Sequence, residues 1–201
     1  GTDRSARVPL ARQGLADSTD TIELLRPVPI RSFVGRRVVS VSAGRLFALF
    51  LDHSGRVYSF GVGDKGQLGH NDTASRGTPR VVQALDGERI VAVTAGSAFS
   101  FALSDRGQVF SWGENDHGQL GLGHLHNVPS PNLITALMQP IVKVVATEER
   151  AAFLSNDGLI FRTGNYSGVD DVGSRSISTP RLVLPVHPTV TEANGFTMPL
   201  N

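Results

Sequence analysis

Cysteine is absent from all 201 residues, which excludes disulfides, cysteine nucleophiles and thiolate metal sites. Lysine is nearly absent: Lys65 and Lys143 stand alone beside seventeen arginines. Charge of one sign is also lacking, because 19 basic residues against 18 acidic leave a net +1. Bulk charge therefore gives no argument for nucleic acid or an acidic membrane as partner. Aromatic residues are only 6% of the chain, and Trp112 is its single tryptophan. The apolar runs are a handful of residues each, too short for a bilayer-spanning helix. The opening GTDRSARVPLARQ has no apolar core followed by a small-residue cleavage site, so it does not read as a signal peptide. An intracellular location, cytoplasmic or nuclear, is the expectation, with an organelle left open.

What the chain does have is glycine and proline, 22 and 11 residues respectively, which points to many turns and short strands. It also repeats itself. VVSVSAG (38–44) returns as IVAVTAG (90–96), GRVYSFG (55–61) as GQVFSWG (107–113), and KGQLGH (65–70) as HGQLGL (117–122), each at an offset of 52. TPRVV (78–82) and SPNLI (130–134) keep the same spacing. A weaker third copy follows in IVKVVAT (141–147), GLIFRTG (158–164) and TPRLV (179–183). Matches at one offset divide the chain into units at 38–89, 90–140 and 141–188. Residues 1–37 then close a preceding degenerate unit, in which RPVPI (26–30) is the last strand and RQGLADSTD (12–20) a worn turn. Residues 189–201 open a further one, where EANGFTMPL (192–200) resembles TAGSAFSFAL.

Within a unit the apolar period is two. Val39, Val41 and Ala43 alternate with serines, and Val91, Val93 and Ala95 with Ala92 and Thr94. LFALFLD and FSFALSD are fuller apolar runs, as expected of a strand buried on both faces. Asp52-His53-Ser54-Gly55, Asp105-Arg106-Gly107 and Asn156-Asp157-Gly158 read as tight hairpin turns with glycine in the positive-φ position. VYSF, VFSW and LIFR supply a third strand. The TPRVV segments supply a fourth, with Pro79, Pro131 and Pro180 expected at its mouth. Four short antiparallel strands per unit describe an all-β chain built of β-propeller blades.

GQVFSWGENDHGQLGLGH (107–124) and VYSFGVGDKGQLGHND (57–72) resemble the repeat of the regulator of chromosome condensation family. Trp112 is followed by glycine rather than aspartate, and no glycine doublet occurs, unlike the Trp-Asp and kelch repeats. The resemblance covers residues 26–183, eroding in the third unit, where GNYSGVDDVG (164–173) has lost Gln-Leu-Gly. It implies a ring of seven blades, of which this chain would supply about three and a half, with exposed apolar flanks at the first and last. That favours a piece of a longer propeller over a ring closed by self-association. The family often carries a histidine three residues after Ala-Gly; here that slot holds Phe47, Phe99 and Arg150.

Several sharper chemistries can be weighed. Gly61-x-Gly63-x-x-Gly66 with Asp86 matches a dinucleotide fingerprint, but the equivalent GENDHG lacks the middle glycine and no helix-forming stretch follows. His117, His124 and His126 crowd one loop, yet solvated loop histidines explain them without a metal. Asp52, His53 and Ser54 are neighbours in one turn and cannot form a hydrolase triad, whose members converge from separate segments. Arg31, Arg36 and Arg37 could grip phosphate or nucleic acid, a reading not favoured because arginine is this chain's base throughout. No cofactor and no catalytic set is expected. The chain reads as a non-enzymatic scaffold for protein partners, which the paired loops would recognise through Asp64, Lys65, His70, Asn71 and Asp72, and through Asn115, Asp116, His117, His124 and His126. Two alternatives stand beside this reading. The resemblance implies one, guanine-nucleotide exchange on a Ran-type small GTPase, the activity of the family's founding member; the other is a structural subunit of a large, chromatin- or RNA-associated complex.

Overall fold

The computed structural model describes Ile30, Phe33, residues 35–166 and 176–183, and the backbone of 189–191 and 197–199. Arg31, most of RPVPI, the 12–20 segment and residues 192–196 lie outside the described residues. The described chain is all β apart from single helical turns such as the 3-10 turn Gln83–Leu85. No helix among the described residues is long and apolar enough to cross a membrane.

Three four-stranded antiparallel meanders follow one another. The first holds β1 (Val38–Ala43), β2 (Phe47–Asp52), β3 (Val57–Gly61) and β4 (Arg76–Val81), in that order. The second holds β5 (Ile90–Ala95), β6 (Phe99–Ser104), β7 (Val109–Gly113) and β8 (Val128–Leu133). The third holds β9 (Ile141–Ala146), β10 (Arg150–Ser155), β11 (Ile160–Gly164) and β12 (Ile177–Val183). A last pair, β13 (Thr189–Thr191) and β14 (Thr197–Pro199), is antiparallel with Val190 opposite Met198. The register shifts at matching places, Ser59/Gly61, Ser111/Gly113 and Arg162/Gly164, between the third and fourth strands of each sheet. Such irregularities add twist to a sheet's outer edge. The hairpin glycines take positive φ as the sequence predicts, +87° at Gly55, +76° at Gly107 and +88° at Gly158.

The prolines differ from expectation. Pro79, Pro131 and Pro180 lie inside β4, β8 and β12 rather than at their mouths. These strands are the outermost of their sheets, so a missing N–H on the free side breaks no ladder.

The core lies between sheets. Phe47, Leu49 and Leu51 of β2 meet Val93, Ala102 and Trp112 of the second sheet. Phe99, Phe101 and Leu103 of β6 in turn meet Ala151 and Phe153 of the third. The aromatic rings Phe99, Phe101 and Phe153 run edge to face, with centroids 5.7 and 5.5 Å apart. β6 therefore serves both cores, with Ala102 on one face and Phe99, Phe101 and Leu103 on the other. Phe47 and Phe99, in the slot where the family often has histidine, are buried, whereas Arg150 is exposed and lies over the Tyr166 ring.

The outward flanks differ. On the first sheet Val41 is 65% exposed, while Val93, one repeat later and against the first sheet, is 7% exposed. Phe50 and Tyr58 on that flank are covered by the ring of Phe33. On the third sheet Arg150 and Arg162 both stack on Tyr166, and Val145 and Ile160 are exposed on the same sheet, so that flank mixes cationic, aromatic and aliphatic groups.

Candidate interaction face at the paired loops

Two long loops carry the candidate residues: 62–75 between β3 and β4, and 114–127 between β7 and β8. Each is fixed to its own sheet by one serine. Ser59 donates to the Leu68 carbonyl at 2.6 Å, and Ser111 to the Leu120 carbonyl at 2.8 Å. The glutamines of the Gln-Leu-Gly turns are buried, and their side-chain oxygens accept from the Lys65 and His117 amides at 2.9 Å each.

The same turns join one sheet to the next through the glutamine main chain. The Gln67 carbonyl accepts from the Trp112 indole and the Ser100 hydroxyl, both at 2.8 Å. One unit on, the Gln119 carbonyl accepts from Thr163 at 2.9 Å. Gly66 and Gly118 press on the next sheet's outer strand, where a Cβ would sit 2.6 Å from Pro129 Cα and 2.5 Å from Ser178 Cα. Both glycines also have positive φ, so no other residue fits without strain. The Asn71 and Gly123 amides complete the joint by donating to the Pro129 and Ser178 carbonyls.

Lys65 Nζ bridges the two loops, 3.4 Å from Glu114 and 4.0 Å from Asp116. His117, in the matching position, lies 3.5 Å from Glu149 of the third sheet. Asp64 is exposed and accepts from the Gln67 side-chain amide at 3.2 Å. Asp72 is exposed, accepts from the Ala74 amide and pairs with Arg76 at 2.5 Å. The Ala74 N–H, helped by Arg76, lowers its carboxyl pKa against a small opposing effect of burial. His70 is half-buried, with Nε2 3.0 Å from the Ser59 hydroxyl. Burial first, then Arg76 and Arg80, pull its pKa down, with Asp72 acting the other way.

Asn115 is placed differently. It is wholly buried, accepting from the Leu120 amide at 3.0 Å and donating to the His124 carbonyl at 2.8 Å. It holds the loop's shape from within and offers nothing to a partner. His124 and His126 stack at 5.7 Å between centroids, while His117 faces Glu149. Among the described residues no group of three or more histidine and carboxylate side chains is placed to hold a metal ion. The Gly61–Gly66 segment enters turns and opens no helix.

Asp52 serves the hairpin beside it. Its Oδ1 accepts from the Ser54 amide, the Ser54 hydroxyl and the Arg56 amide, and its Oδ2 from the Tyr58 hydroxyl. Burial pushes the carboxyl up, but those donors outweigh it and hold the pKa below its usual value. Tyr58 is raised in turn, by burial first and then by Asp52. Arg36 donates to the Tyr58 hydroxyl at 2.9 Å, which places one of the candidate phosphate-gripping arginines inside this network.

Sequence reasoning missed Glu114 and Glu149 as partners of Lys65 and His117. It also missed Arg80, whose signal is a difference between units, since the matching residue is Asn132.

The repeat pattern of the regulator of chromosome condensation matches residues 54–103 and 106–152 in one description and 38–67 and 90–119 in another. The chain belongs to the regulator of chromosome condensation repeat family. Its relatives include the E3 ubiquitin-protein ligase HERC2 of Homo sapiens, 39% identical over 60% of this chain and 2% of that protein. Protein RCC2 of Mus musculus is 40% identical over 65% of the chain and 26% of its own length. The ultraviolet-B receptor UVR8 of Arabidopsis thaliana is 36% identical over 69% and 32%. The chain thus spans a third or less of these relatives, whose activities belong to much longer proteins. Among solved structures, human WBSCR16 superposes with a TM-score of 0.66 at 30% identity, covering 74% of this chain and 40% of that one. Yeast RCC1 (Prp20), seen bound to Kap60, gives 0.64 at 24% identity, covering 77% and 39%, a likeness of fold alone. The three sheets are accordingly part of a propeller of this family.

Proposed function

We propose that this chain is a non-enzymatic propeller scaffold whose paired loops hold a protein partner. The supporting observation is the joint itself. Loops 62–75 and 114–127 are fixed to their own sheets and to the following ones by side-chain donors on their main-chain carbonyls, and Lys65 links them. Exposed Asp64, Asp72, Asp116 and His126 are thereby displayed on a rigid frame. Rigid display of polar side chains reduces the ordering cost of association. The buried polar side chains, Asp52, Asn115 and Gln119 among them, are spent on turn and loop geometry.

The test is affinity capture with wild type, an Asp116→Lys/His126→Glu double variant, and Asp86→Lys at the opposite end of the sheets. A stoichiometric protein partner should be retained by wild type and Asp86→Lys and lost from the loop variant. Retention by all three overturns the assignment to these loops. In a parallel assay, catalytic amounts of the chain should leave nucleotide release from a Ran-type GTPase unchanged. Acceleration would replace the scaffold reading with exchange.

A further inference from the structure

A cleft of about 130 Å³ opens between the first and second sheets. Its walls are His70 and Asn71 of the first loop, Arg80 of β4, Gln83 of the 3-10 turn, and Ser130 of β8. Ligand pockets for whole small molecules are typically about 300–1,000 Å³. This cleft is sized for one functional group, and its walls carry the donors for an anion: a guanidinium, two side-chain amides and a hydroxyl.

Arg80 is available for that role. Its neighbour Arg76 is paired with Asp72, whereas no carboxylate among the described residues lies within ion-pairing distance of Arg80. Burial first, and then Arg76 and Arg80, hold the His70 imidazole pKa below its ordinary value, with Asp72 acting the other way. Asn71 has φ +61°, a backbone conformation in which the matching residue of the next unit is Gly123 at φ +83°. An asparagine at such a position holds a side-chain amide at the cleft where glycine would be the easier choice.

The chain contains its own control. At the junction of the second and third sheets, the residues matching His70, Arg80 and Gln83 are Leu122, Asn132 and Thr135. The two junctions share their main-chain joints, so stacking the sheets does not require the basic cleft.

We infer that this cleft binds a phosphate monoester, with Arg80 as its charged partner and Ser130, Asn71 and Gln83 as neutral donors. A carboxylate would be met by the guanidinium fork alone; donors on several walls suit the oxygens of a tetrahedral dianion. If the monoester is a phosphorylated side chain of a partner protein, the inference rests on the scaffold reading. A free phosphorylated small molecule would not require that reading.

The test follows the His70 ring resonances of the full chain while inorganic phosphate, a short phosphoserine peptide, its unphosphorylated form and acetate are titrated separately. The phosphoserine peptide and phosphate should shift His70 saturably and raise its pKa, and the other two should not. Arg80→Asn, the residue the second unit already tolerates in this position, should weaken that binding about tenfold or more. Ser130→Ala should weaken it less. Tighter binding of the peptide than of phosphate assigns the site to a partner's side chain, and equal binding assigns it to a free phosphate. Equal response to acetate, no saturable shift, or an unchanged affinity in Arg80→Asn overturns the inference. Failure of the wild-type chain to capture any protein partner, with phosphate binding intact, would overturn the scaffold reading alone.

Discussion

The junction between the first and second sheets and the junction between the second and third use one joint with different side chains. In both, a main-chain carbonyl of a Gln-Leu-Gly turn receives a donor from the third strand of the following sheet. Trp112 supplies it at the first junction, assisted by Ser100; Thr163 supplies it at the second, where Ala151 replaces the serine and has no hydroxyl. A tryptophan and a threonine do the same polar work at nearly equal distances. The acceptor is therefore the fixed part of the design, and the donor can change as long as it reaches. The apolar contribution is not shared, because the buried indole fills volume that a threonine cannot.

The largest expected effect follows from that asymmetry. Trp112→Ala should cost about 3–5 kcal/mol by urea denaturation, combining lost burial with a lost donor. Thr163→Val, nearly the same in shape, should cost only about 1 kcal/mol for the missing hydrogen bond. Equal losses would break the comparison.

Gly66→Ala and Gly118→Ala probe what the junctions share. Each forces a left-handed backbone on alanine, worth about 1–2 kcal/mol, and drives a methyl group into the next sheet. The two variants should be destabilised alike in the same denaturation measurement. A large difference would show that the glycines dock differently.

The hairpin turns sharpen the comparison by pH. Asp52, Ser104 and Ser155 occupy matching positions and accept the amide four residues on, Arg56, Gln108 and Leu159 respectively. Only the first is ionisable. Its folded pKa lies below the unfolded value, so the unfolded chain takes up the proton first. The stabilisation is therefore present above about pH 4 and is lost as pH falls through the folded value. Asp52→Ser should flatten that acid limb in thermal melts between pH 5 and 2, on the order of these endpoints for a shifted carboxylate. Ser104→Ala should leave its slope unchanged.

The smallest effect belongs to the loop bridge. Lys65→Ala should cost no more than about 0.5 kcal/mol, because the ion pairs are partly solvated, and the difference should shrink further in high salt. A larger loss would make the bridge part of the joint rather than an addition to it.

The fold was legible because a period of two and an offset of 52 are properties of side-chain order. The strands, the hairpin glycines and the doubly buried β2 and β6 all follow from that order. Other features could not be read. Val41 and Val93 are the same residue in the same unit position, yet one is exposed and the other buried. Only the presence of a neighbouring sheet separates them, and no local pattern records a neighbour. The glutamine carbonyls that join the sheets are main-chain atoms and leave no mark on composition. Asn115 looked like its exposed loop neighbours because a residue type does not reveal that its amide turns inward. Arg80 sat within a recognisable strand motif and was passed over as scaffolding.

The glutamine joint also has a direction. The second unit offers an acceptor, the Gln119 carbonyl, on one side and donors, Trp112 and Ser100, on the other, so its two faces are complementary rather than alike. An interface of that kind is head-to-tail: units can be added, deleted or permuted in order, but none can be turned around. A circular permutant that divides the chain between Ala95 and Phe99, and not inside a Gln-Leu-Gly turn, would leave the bonds to the Gln67 and Gln119 carbonyls in place. Growth of such repeats by duplication therefore conserves the joint without any need to reinvent it.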